Sequence, residues 1–274
     1  MNWFVSRRKK ILLVCLLAST VFAWYVVFAE SREGLTVTFF DVGQGDSIFI
    51  QAENGNQILI DGGPGDAVLA ELGAVLPFYD RTLDMIVLTH PDADHLNGLV
   101  EVVKRYKPKV VLETGVLHDT AQYEEWRRFL DEERIPIVRA KAGETFLVAD
   151  GVTAEVLYPF RNQEGQKPKS VNDTCIVLRL DYGETSFLFT GDIEAKTERI
   201  LSVAQREALD VDVLKVAHHG SKTSSIAEFL EAVSPEVAVM SVGRNNRYGH
   251  PHPEVTDRYT ELHIPVHRTD ISGT

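Results

Sequence analysis

The sequence predicts an α/β fold in which two sheets are covered by helices, with a transmembrane helix at the N-terminus. Three observations support this prediction. Residues 11–29 contain no charged side chain. From residue 35 onward, short apolar runs alternate with glycine-containing turns, as in β-strands. Hairpins are followed by strand–helix units in both halves of the remaining chain, and this mixture favours sheets packed between helices.

The N-terminal segment has the charge pattern of a membrane anchor. Four cations (Arg7, Arg8, Lys9 and Lys10) precede the apolar run. As a helix, residues 11–29 would be roughly 28 Å long, enough to cross the hydrocarbon core. Cationic residues next to a membrane span favour the cytoplasmic side, so the N-terminal end of this helix is expected in the cytoplasm. We therefore expect residues 1–30 to form a cytoplasmic N-terminus and a single-pass anchor, and residues 31–274 to fold outside the cytoplasm. A signal peptide cleaved before Glu30 is the alternative, and it would release a secreted domain.

The remaining elements follow from apolar periodicity and from turn residues. Strands are predicted at residues 35–40, 47–51, 57–60, 85–89, 109–113, 138, 146–149, 153–158, 175–181, 186–190, 213–216 and 237–241. Helices are predicted at residues 67–76, 96–106, 121–133, 193–209 and 225–232. Residues 161–170 are polar, contain Gly165 and Pro168, and are expected to form a mobile loop.

Composition excludes several classes of protein. The chain is 44% hydrophobic and 25% charged, which is typical of globular proteins and not of disordered ones. The net charge is −12; residues 1–30 carry +3, so the rest carries −15. That balance argues against a broad cationic face for duplex DNA. Cys15 and Cys175 are too few for a disulfide framework or a cysteine-rich zinc site.

The densest group of potential metal ligands lies in residues 88–98, LTHPDADHLNG. His90, Asp92, Asp94 and His95 fall within six residues, after a predicted strand and at the start of a predicted helix. Two imidazoles and two carboxylates on one tight loop need cations or protons to be buried together. Metal binding meets that need. The alternative is an ordinary helix start, with Asp92 or Asp94 as N-cap and incidental histidines.

The string His-x-Asp-x-Asp-His resembles the signature of the metallo-β-lactamase superfamily, which usually has a third histidine where this chain has Asp92. More narrowly, the chain resembles the metallo-β-lactamase-like domain of ComEC-type competence DNA-uptake proteins. The matching stretches run in order along the chain: 40–47 (FDVGQGDS), 60–63 (IDGG), 89–98 (THPDADHLNG), 172–175 (NDTC), 189–192 (FTGD), 214–221 (LKVAHHGS) and 246–251 (NRYGHP).

The resemblance implies a four-layer αββα sandwich with two divalent metal ions at one edge of its sheets. It assigns His90 and Asp92 to one metal, Asp94 and His95 to the other, Asp192 to a bridge, and His218 or His219 to the second metal. Asp192 and the histidine pair each follow an apolar strand, which suits ligands held by a rigid sheet. Since neighbours on an extended segment point in opposite directions, we expect one of the two histidines to bind, and the choice stays open.

The metal's identity follows less directly. Asp92 and Asn172 stand where the wider superfamily often has histidines. Oxygen ligands shift the preference from Zn²⁺ toward harder cations such as Mn²⁺ or Mg²⁺. We therefore expect two divalent ions, Mn²⁺ or Zn²⁺, with Mg²⁺ as a further option.

Other candidate residues have both a functional and a structural interpretation. Asp94 or Asp92 would orient the attacking water. Lys222, in the Ser/Thr-rich start of the helix predicted after His219, would bind an anion, or the segment is a plain helix cap. A loop near residue 250 would hold a phosphate or protonate a leaving group, or merely form a turn. The residues concerned there are Asn246, Tyr248 and His250.

Some polar residues are expected only to support the site or to lie outside it. Asp61 resembles the family's aspartate that orients a ligand histidine, and Asp41 is expected to act similarly; otherwise both form turns. Asn172 is also expected to support the ligands without binding a metal itself. His118, His252, His263 and His267 show no partner pattern and are predicted to be surface or packing residues.

The sequence thus favours a membrane-anchored, extracytoplasmic, metal-dependent nuclease for single-stranded DNA during uptake. Two metals suit phosphodiester hydrolysis, because they activate water and neutralise charge on the phosphate. The alternative is a hydrolase of a small phosphodiester, lactone or thioester, since the fold hosts many chemistries. A non-catalytic binding module is the third. A groove with Lys222, Arg244 and Arg247 favours nucleic acid, and a closed apolar pocket favours a small ligand. The sequence leaves the oligomeric state open.

Overall fold

The computed structural model describes residues 2–29 and 34–274, with side chains for 7–24 and 34–274. The first helix, α1, is Asn2–Ala29. Among the described residues, no helix combines the length and apolarity that a membrane crossing requires. The side chains of residues 25–29, at the end of the predicted anchor, lie outside that description, as do residues 30–33 around the alternative cleavage position. The anchor and the cleaved signal both stay predictions.

The folded part begins with strand β1. The strands are β1 (Thr36–Phe39), β2 (Ile48–Gln51), β3 (Gln57–Ile60), β4 (Thr82–Leu83), β5 (Met85–Leu88), β6 (Lys107–Pro108), β7 (Val111–Glu113), β8 (Ile137–Arg139), β9 (Thr145–Ala149), β10 (Val152–Tyr158), β11 (Val177–Tyr182), β12 (Thr185–Phe189), β13 (Val213–Lys215), β14 (Val237–Met240) and β15 (Val266–Arg268). The further helices are α2 (Ala67–Val75), α3 (Ala93–Val103), α4 (Ala121–Glu132), α5 (Ala195–Ala204), α6 (Arg206–Leu209), α7 (Ala227–Val233), α8 (Pro253–Glu261) and α9 (Thr269–Ser272).

Two mixed sheets carry the fold. The first has the order β1-β2-β3-β5-β7-β8, with antiparallel pairing through β3 and parallel pairing from β3 to β8. The second has the order β15-β14-β13-β12-β11-β10-β9, antiparallel from β9 to β12 and parallel from β12 to β15. Strands β4 and β6 form a separate parallel pair.

Three apolar clusters show the layering. One buries the outer face of the first sheet under α2, α3 and α4, with Leu72, Leu99 and Trp126 at its centre. A second buries the outer face of the other sheet under α5 to α8. The third lies between the sheets, where β2 and β3 face β10 and β11. The order helix–sheet–sheet–helix confirms the predicted αββα sandwich.

Close backbone packing fixes the start of α3 against the loop after β3. The Gly62 N–H donates to the carbonyl oxygen of His95 (2.8 Å), and the Gly98 N–H donates to that of Gly63 (2.9 Å). A Cβ atom on Gly98 would lie 1.7 Å from the Gly62 oxygen, so a larger residue would separate the two segments. Glycine at these positions therefore sets the height of α3 above Asp61.

The sequence misplaced several element boundaries. Helix α3 begins at Ala93, three residues before the prediction, so Asp94 and His95 lie in its first turn. The predicted helix 193–209 is two helices, because Gln205 has a non-helical backbone (φ −130°, ψ 22°). The helix predicted from residue 225 begins at Ala227, because Ser225 has φ +58°. Elements α8, β15 and α9 were not predicted.

Candidate metal centre

The candidate site lies where strands of both sheets end. Parallel strands β3 and β5 of the first sheet lead into Asp61 and His90. Strands β12 and β13 of the second sheet are also parallel, and they lead into Asp192 and the His218–His219 pair. The carboxyl ends of parallel strands lie at the same edge of a sheet. Each sheet therefore supplies part of the ligand set.

Asp94 and His95 lie in the first turn of α3, directly after Asp92. Asp92 occupies the N-cap position but makes no side-chain cap hydrogen bond; its Oδ2 lies 3.6 Å from His90 Nε2 instead. The ring centroids of His90 and His95 are 4.1 Å apart. The simple helix-cap interpretation of this segment therefore does not account for its side chains.

Side chains from the second sheet meet those of α3. Asp192 Oδ2 lies 3.3 Å from His95 Nε2 and 3.3 Å from His219 Nε2. His219 Nε2 lies 3.5 Å from Asp94 Oδ2. The structure thus brings together Asp94, His95, Asp192 and His219, and one ligand atom from each lies within 4.8 Å of the others. A metal ion could be held by such a group.

The histidine pair is not on an extended segment, as the sequence suggested. His218 and His219 have φ of 48° and 53° within a tight turn, so both rings face the site. His219 is buried, and its Nδ1 lies 2.9 Å from the carbonyl oxygen of Ser241. His218 Nε2 is 3.7 Å from Asp192 Oδ2, and its Nδ1 lies 3.2 Å from Thr223 Oγ1. Of the pair, the geometry favours His219 as the second metal's ligand.

Asp61 lies directly beneath the cluster. Its Oδ2 is 2.8 Å from His95 Nδ1, and it accepts hydrogen bonds from the backbone N–H (2.8 Å) and hydroxyl (2.6 Å) of Thr89. When a carboxylate accepts a hydrogen bond from the Nδ1–H group of an imidazole, the lone pair of that imidazole is on Nε2, where a metal would bind. The position matches the orienting role that the resemblance implies.

A buried ion pair spans the two sheets beside the cluster. Lys215, at the end of β13, contacts Asp46, from the loop between β1 and β2, and both side chains are almost fully buried. The Lys215 ammonium also donates to the carbonyl oxygen of Gly191 (3.0 Å) and lies 3.7 Å from Asp192 Oδ1. It therefore faces one oxygen of Asp192 while the imidazoles face the other.

The pKa values of His95, His219 and Asp192 are shifted in the direction that favours positive charge next to the carboxylates. Burial alone would lower the pKa of His95 and of His219, but Asp192, with Asp61 and Asp46, raises both well above their ordinary value. Burial would raise the pKa of Asp192, yet the same two imidazoles hold it well below its usual range. Besides Lys215, the carboxylates of the cluster are balanced by protons on imidazole or by bound cations.

Buried atoms without hydrogen-bond partners point to cations. Within the described part of the chain, His90, His95 and His219 each bury an unpartnered Nε2, and Asp192 buries an unpartnered Oδ1. Unpaired buried polar atoms are rare and costly unless an ion or water is meant to fill the site. Imidazole nitrogens with carboxylate oxygens are ligands for Zn²⁺ and Mn²⁺. The residues present therefore fit divalent metal ions.

The loop of residues 243–250 is stabilised mainly by hydrogen bonds between its own residues. The Asn246 amide donates to the carbonyl oxygens of Gly243 (2.9 Å) and His250 (2.6 Å) and accepts from two backbone N–H groups, so it builds the turn. The exposed Tyr248 stacks on the His250 ring at 5.7 Å. Partial burial and the neighbouring histidines lower the pKa of His250 to about 4.

Other predicted residues lie apart from the cluster or in turns. Lys222 is exposed in a turn, and the helix after it begins only at Ala227, so Lys222 does not lie at a helix start. Its role as an anion contact stays a prediction. Asp41 is exposed and accepts from the Gly43 N–H at 3.3 Å, which is the turn role; Asp46 occupies the buried position instead. Asn172 begins a 3₁₀ turn in which its carbonyl oxygen accepts from Cys175.

Sequence reasoning missed several neighbours of the site. Asp46 and Lys215 stood in the matched stretches but were given no role. A lysine inside the apolar run Val213–Val216 was a usable signal, because a charge in a buried strand needs a partner. The sequence predicts a surface or packing role for His118, yet its Nε2 lies 3.8 Å from Asp92 Oδ1.

The sequence pattern of one family covers the same elements. The Metallo-beta-lactamase superfamily matches residues 40–244, which hold the whole ligand cluster. The chain belongs to this superfamily. This superfamily member is 33% identical to ComE operon protein 3 of Bacillus subtilis (strain 168), over 93% of its own length and 34% of that protein's. It is 34% identical to Competence protein ComA of Neisseria gonorrhoeae, over 92% and 33% respectively.

These relatives confirm the resemblance to ComEC-type competence proteins, although the chain spans about a third of their length. Among solved structures, Igni18, a metallo hydrolase from Ignicoccus hospitalis, superposes with a TM-score of 0.53 at 17% identity, over 87% of this chain and 96% of the other. That likeness supports the fold of this metallo-beta-lactamase domain.

Proposed function

We propose that this protein is a metal-dependent phosphodiesterase that cleaves single-stranded DNA in connection with DNA uptake. The observation that carries the proposal is the meeting of His95, Asp192, His219 and Asp94 at one point, with unpartnered Nε2 atoms on both imidazoles. Competence proteins among the relatives support DNA as the substrate.

The chain's own residues prepare the site for phosphate chemistry. Two divalent ions bound here would activate water and neutralise charge on the phosphate. Asp61 orients His95, and Thr89 supports Asp61. Lys215 faces one oxygen of Asp192, so that the other oxygen faces the imidazoles. Preorganised ligands of this kind need no rearrangement during the reaction.

The open side of the site suits a polymer better than a small apolar ligand. The side chains of Asp92 and Asp94 remain 39% and 24% exposed. Arg244 and Arg247 are exposed on the loop that carries His250. The Tyr248 oxygen and, less strongly, Asp94 raise the pKa of Arg247, so this cation lies within electrostatic reach of the site. Cations beside a stacked aromatic ring are typical of contacts to single strands.

The test uses the purified full-length chain with Mn²⁺, Mg²⁺ or Zn²⁺, against labelled single-stranded DNA, RNA and a chromogenic phosphodiester. We expect cleavage of DNA that a chelator stops. Asp94→Ala and Asp192→Ala should reduce cleavage to the level of the metal-free protein while the circular dichroism spectrum stays unchanged. His267→Ala, at an exposed site on β15, is the matched control. Full activity in both aspartate variants would overturn the site. Cleavage of the chromogenic ester but not of DNA would favour the small-molecule hydrolase.

The location of the domain is part of the proposal. Residues 11–29 form an uncharged run behind four cations, so the folded domain would be held at the outer face of the cell membrane. Fractionation of cells tests this. Recovery of the full-length chain in the cytoplasmic fraction after lysis would exclude the anchor, and a shortened chain in the medium would indicate a cleaved signal.

A further inference from the structure

A surface of exposed aromatic and cationic side chains lies at the edge of the first sheet opposite the candidate metal centre. We call it the basal patch, and its members are Phe78, Tyr79, Arg81, Arg105 and Lys107. It flanks β4 and β6, the short paired strands that precede β5 and β7. The parallel strands β5 and β7 begin at this edge, whereas the metal ligands of the first sheet follow the other end of β5. The basal patch and the metal centre therefore lie at opposite edges of the sheet.

The chain enters the folded domain at the edge that carries the basal patch. Strand β1 is antiparallel to β2, β2 is antiparallel to β3, and β3 is parallel to β5. Strand β1 therefore runs in the direction of β5 and begins at the same edge. Helix α1 precedes β1 in the chain, and the ring centroid of its Trp24 lies 6.5 Å from that of Tyr79. The basal patch thus lies where α1 meets the domain.

The cations of the basal patch lie close together. The Arg81 guanidinium is 5.2 Å from the centroid of the Tyr106 ring, and the Arg81 carbonyl oxygen accepts from the Lys107 N–H at 2.7 Å. Arg105 is the other chain neighbour of Tyr106. Residues 31–274 carry a net charge of −15, so three cations in one place are a local departure from the charge of the domain.

Carboxylates on the neighbouring loop have other partners. Asp80 accepts from the side-chain amide of Gln57 at 2.7 Å and from the Thr82 hydroxyl at 2.9 Å. Asp84 pairs with Lys109 at 2.5 Å. Within the described part of the chain, the three cations of the basal patch form no ion pair with a carboxylate. Their charge is therefore available to an anionic partner.

Two aromatic rings give the basal patch an apolar tip. Phe78 is 82% exposed and Tyr79 is 49% exposed, and their rings meet edge to face at 5.4 Å. Exposed apolar side chains grouped in this way mark contact surfaces. Aromatic rings beside lysine and arginine are typical of surfaces that lie at a membrane interface, where the rings enter the headgroup layer and the cations contact anionic lipids.

An open groove of about 250 Å³ extends the basal patch along the C-terminal end of α3. Arg105 and Lys107 lie on its rim, and Phe129 and Ile135 contribute apolar lining. Glu133 is the carboxylate among the residues that line it. Cations above an apolar lining suit a lipid, which has an anionic headgroup joined to apolar chains.

We propose that the basal patch docks the domain on an anionic lipid surface. The inference rests on the proposed location at a membrane and is independent of the substrate that the domain cleaves. Each lysine or arginine near an anionic membrane is attracted to it, whereas the rest of this acidic domain is repelled. A nucleic acid would also attract the cations, but the position of the basal patch beside α1 favours lipid. Docking in this way turns the metal centre, at the opposite edge, away from the membrane.

The first measurement uses the full-length chain with vesicles of phosphatidylcholine alone or mixed with phosphatidylglycerol. Flotation shows whether the chain binds each kind of vesicle. A membrane-impermeant acetylating reagent, with mass spectrometry of peptides, then measures the reactivity of exposed lysines. Acetylation of Lys107 should be about 10-fold slower on the mixed vesicles than on phosphatidylcholine. Lys169, exposed on the loop after β10, should react equally on both.

The second measurement removes two cations and keeps the reporter. Arg81→Gln combined with Arg105→Gln should raise the acetylation rate of Lys107 on mixed vesicles to its value on phosphatidylcholine. Arg161→Gln combined with Arg199→Gln is the matched control, because it removes the same charge from exposed arginines elsewhere and should keep Lys107 protected. Thermal unfolding checks that both variants are folded.

The outcomes distinguish docking from anchoring. Equal reactivity of Lys107 on the two kinds of vesicle would overturn docking, and flotation with phosphatidylcholine would still support the anchor. Protection that persists in the Arg81→Gln, Arg105→Gln variant would also overturn docking through these cations. Equally strong protection of Lys107 by a single-stranded oligonucleotide without vesicles would assign the basal patch to nucleic acid and overturn the lipid. A chain that floats with neither kind of vesicle would overturn docking and anchor together.

Discussion

Replacement of Lys215 by methionine is expected to destabilise the protein by about 3–5 kcal/mol, because it removes the ammonium in direct contact with the buried carboxylate of Asp46. Both side chains of the Lys215–Asp46 pair are at most 2% exposed. Burial alone would lower the pKa of Lys215, yet Asp46 and Asp192 raise it above its ordinary value, so the lysine is charged in the fold. Methionine has a similar length and keeps the packing of the stem.

The assay is urea unfolding of the full-length chain followed by circular dichroism, with a chelator present so that bound metal does not add stability. A loss of that size corresponds to a fall in Tm of roughly 6–20 °C for a domain of this length. Lys109→Met is the matched control. Its ammonium pairs with Asp84 at 2.5 Å, but the lysine is 66% exposed. The control should lose no more than about 1 kcal/mol.

A double variant distinguishes the effect of an unpaired buried charge on stability from the effect of altered packing. Lys215→Met combined with Asp46→Leu removes both charges, and we expect it to be more stable than Lys215→Met alone, since apolar replacement of a whole buried pair is often neutral. Wild-type stability in Lys215→Met would refute the reasoning. So would a double variant that is no more stable than the single one.

Two further predictions concern Asp61 and Glu198. Asp61→Asn should weaken Mn²⁺ binding about 10- to 100-fold in calorimetric titration, because His95 loses the carboxylate that orients it. Burial, opposed by hydrogen bonds from the Ile226 and Ser225 N–H groups, raises the pKa of Glu198 to about 7 from 4.5. The folded state therefore keeps a proton that the unfolded state loses, and wild-type stability falls between pH 4.5 and 7 by about 3 kcal/mol. Glu198→Gln should lack this fall in urea unfolding.

Exposed residues of the same type provide the controls. Asp66→Asn should bind Mn²⁺ like the wild type, and Glu236→Gln should follow the wild-type pH dependence. Equal Mn²⁺ affinity in Asp61→Asn would show that His95 is oriented without its carboxylate. A constant stability difference between Glu198→Gln and the wild type, from pH 4.5 to 7.5, would contradict the raised pKa.

The layers of the fold and the main ligand cluster could be predicted from the sequence, because both depend on local patterns. The apolar runs that predicted β2, β3 and β5 form three adjacent strands of the six-stranded first sheet. The four candidate ligands in residues 90–95 could be recognised from the sequence because they lie close together in the chain. Asp192 and the His218–His219 pair came from family resemblance and from strands that end in polar residues.

Contacts between distant segments could not be predicted in this way. His118 lies 26 positions beyond Asp92, on a loop whose path depends on β7 and α4. The sequence did not predict the backbone of His218 and His219, because φ near +50° is uncommon for any residue other than glycine and no sequence pattern here indicates it. Residues 221–224 and Asn246 form turns in the structure, because serine, threonine and asparagine suit turns as well as anion contacts. The catalytic roles of Lys222 and Asn246 stay predictions.

The division of the ligand set between the two sheets makes the centre sensitive to the spacing of the sandwich. His90 and His95 move with the first sheet, and Asp192 and His219 move with the second. The apolar layer between them, which includes Ile60, Val87 and Phe189, acts as the spacer. A methyl group added or removed there, without touching any ligand, would alter the gap across which the imidazoles face Asp192. The geometry of the candidate site therefore depends on side chains that contact none of its ligands.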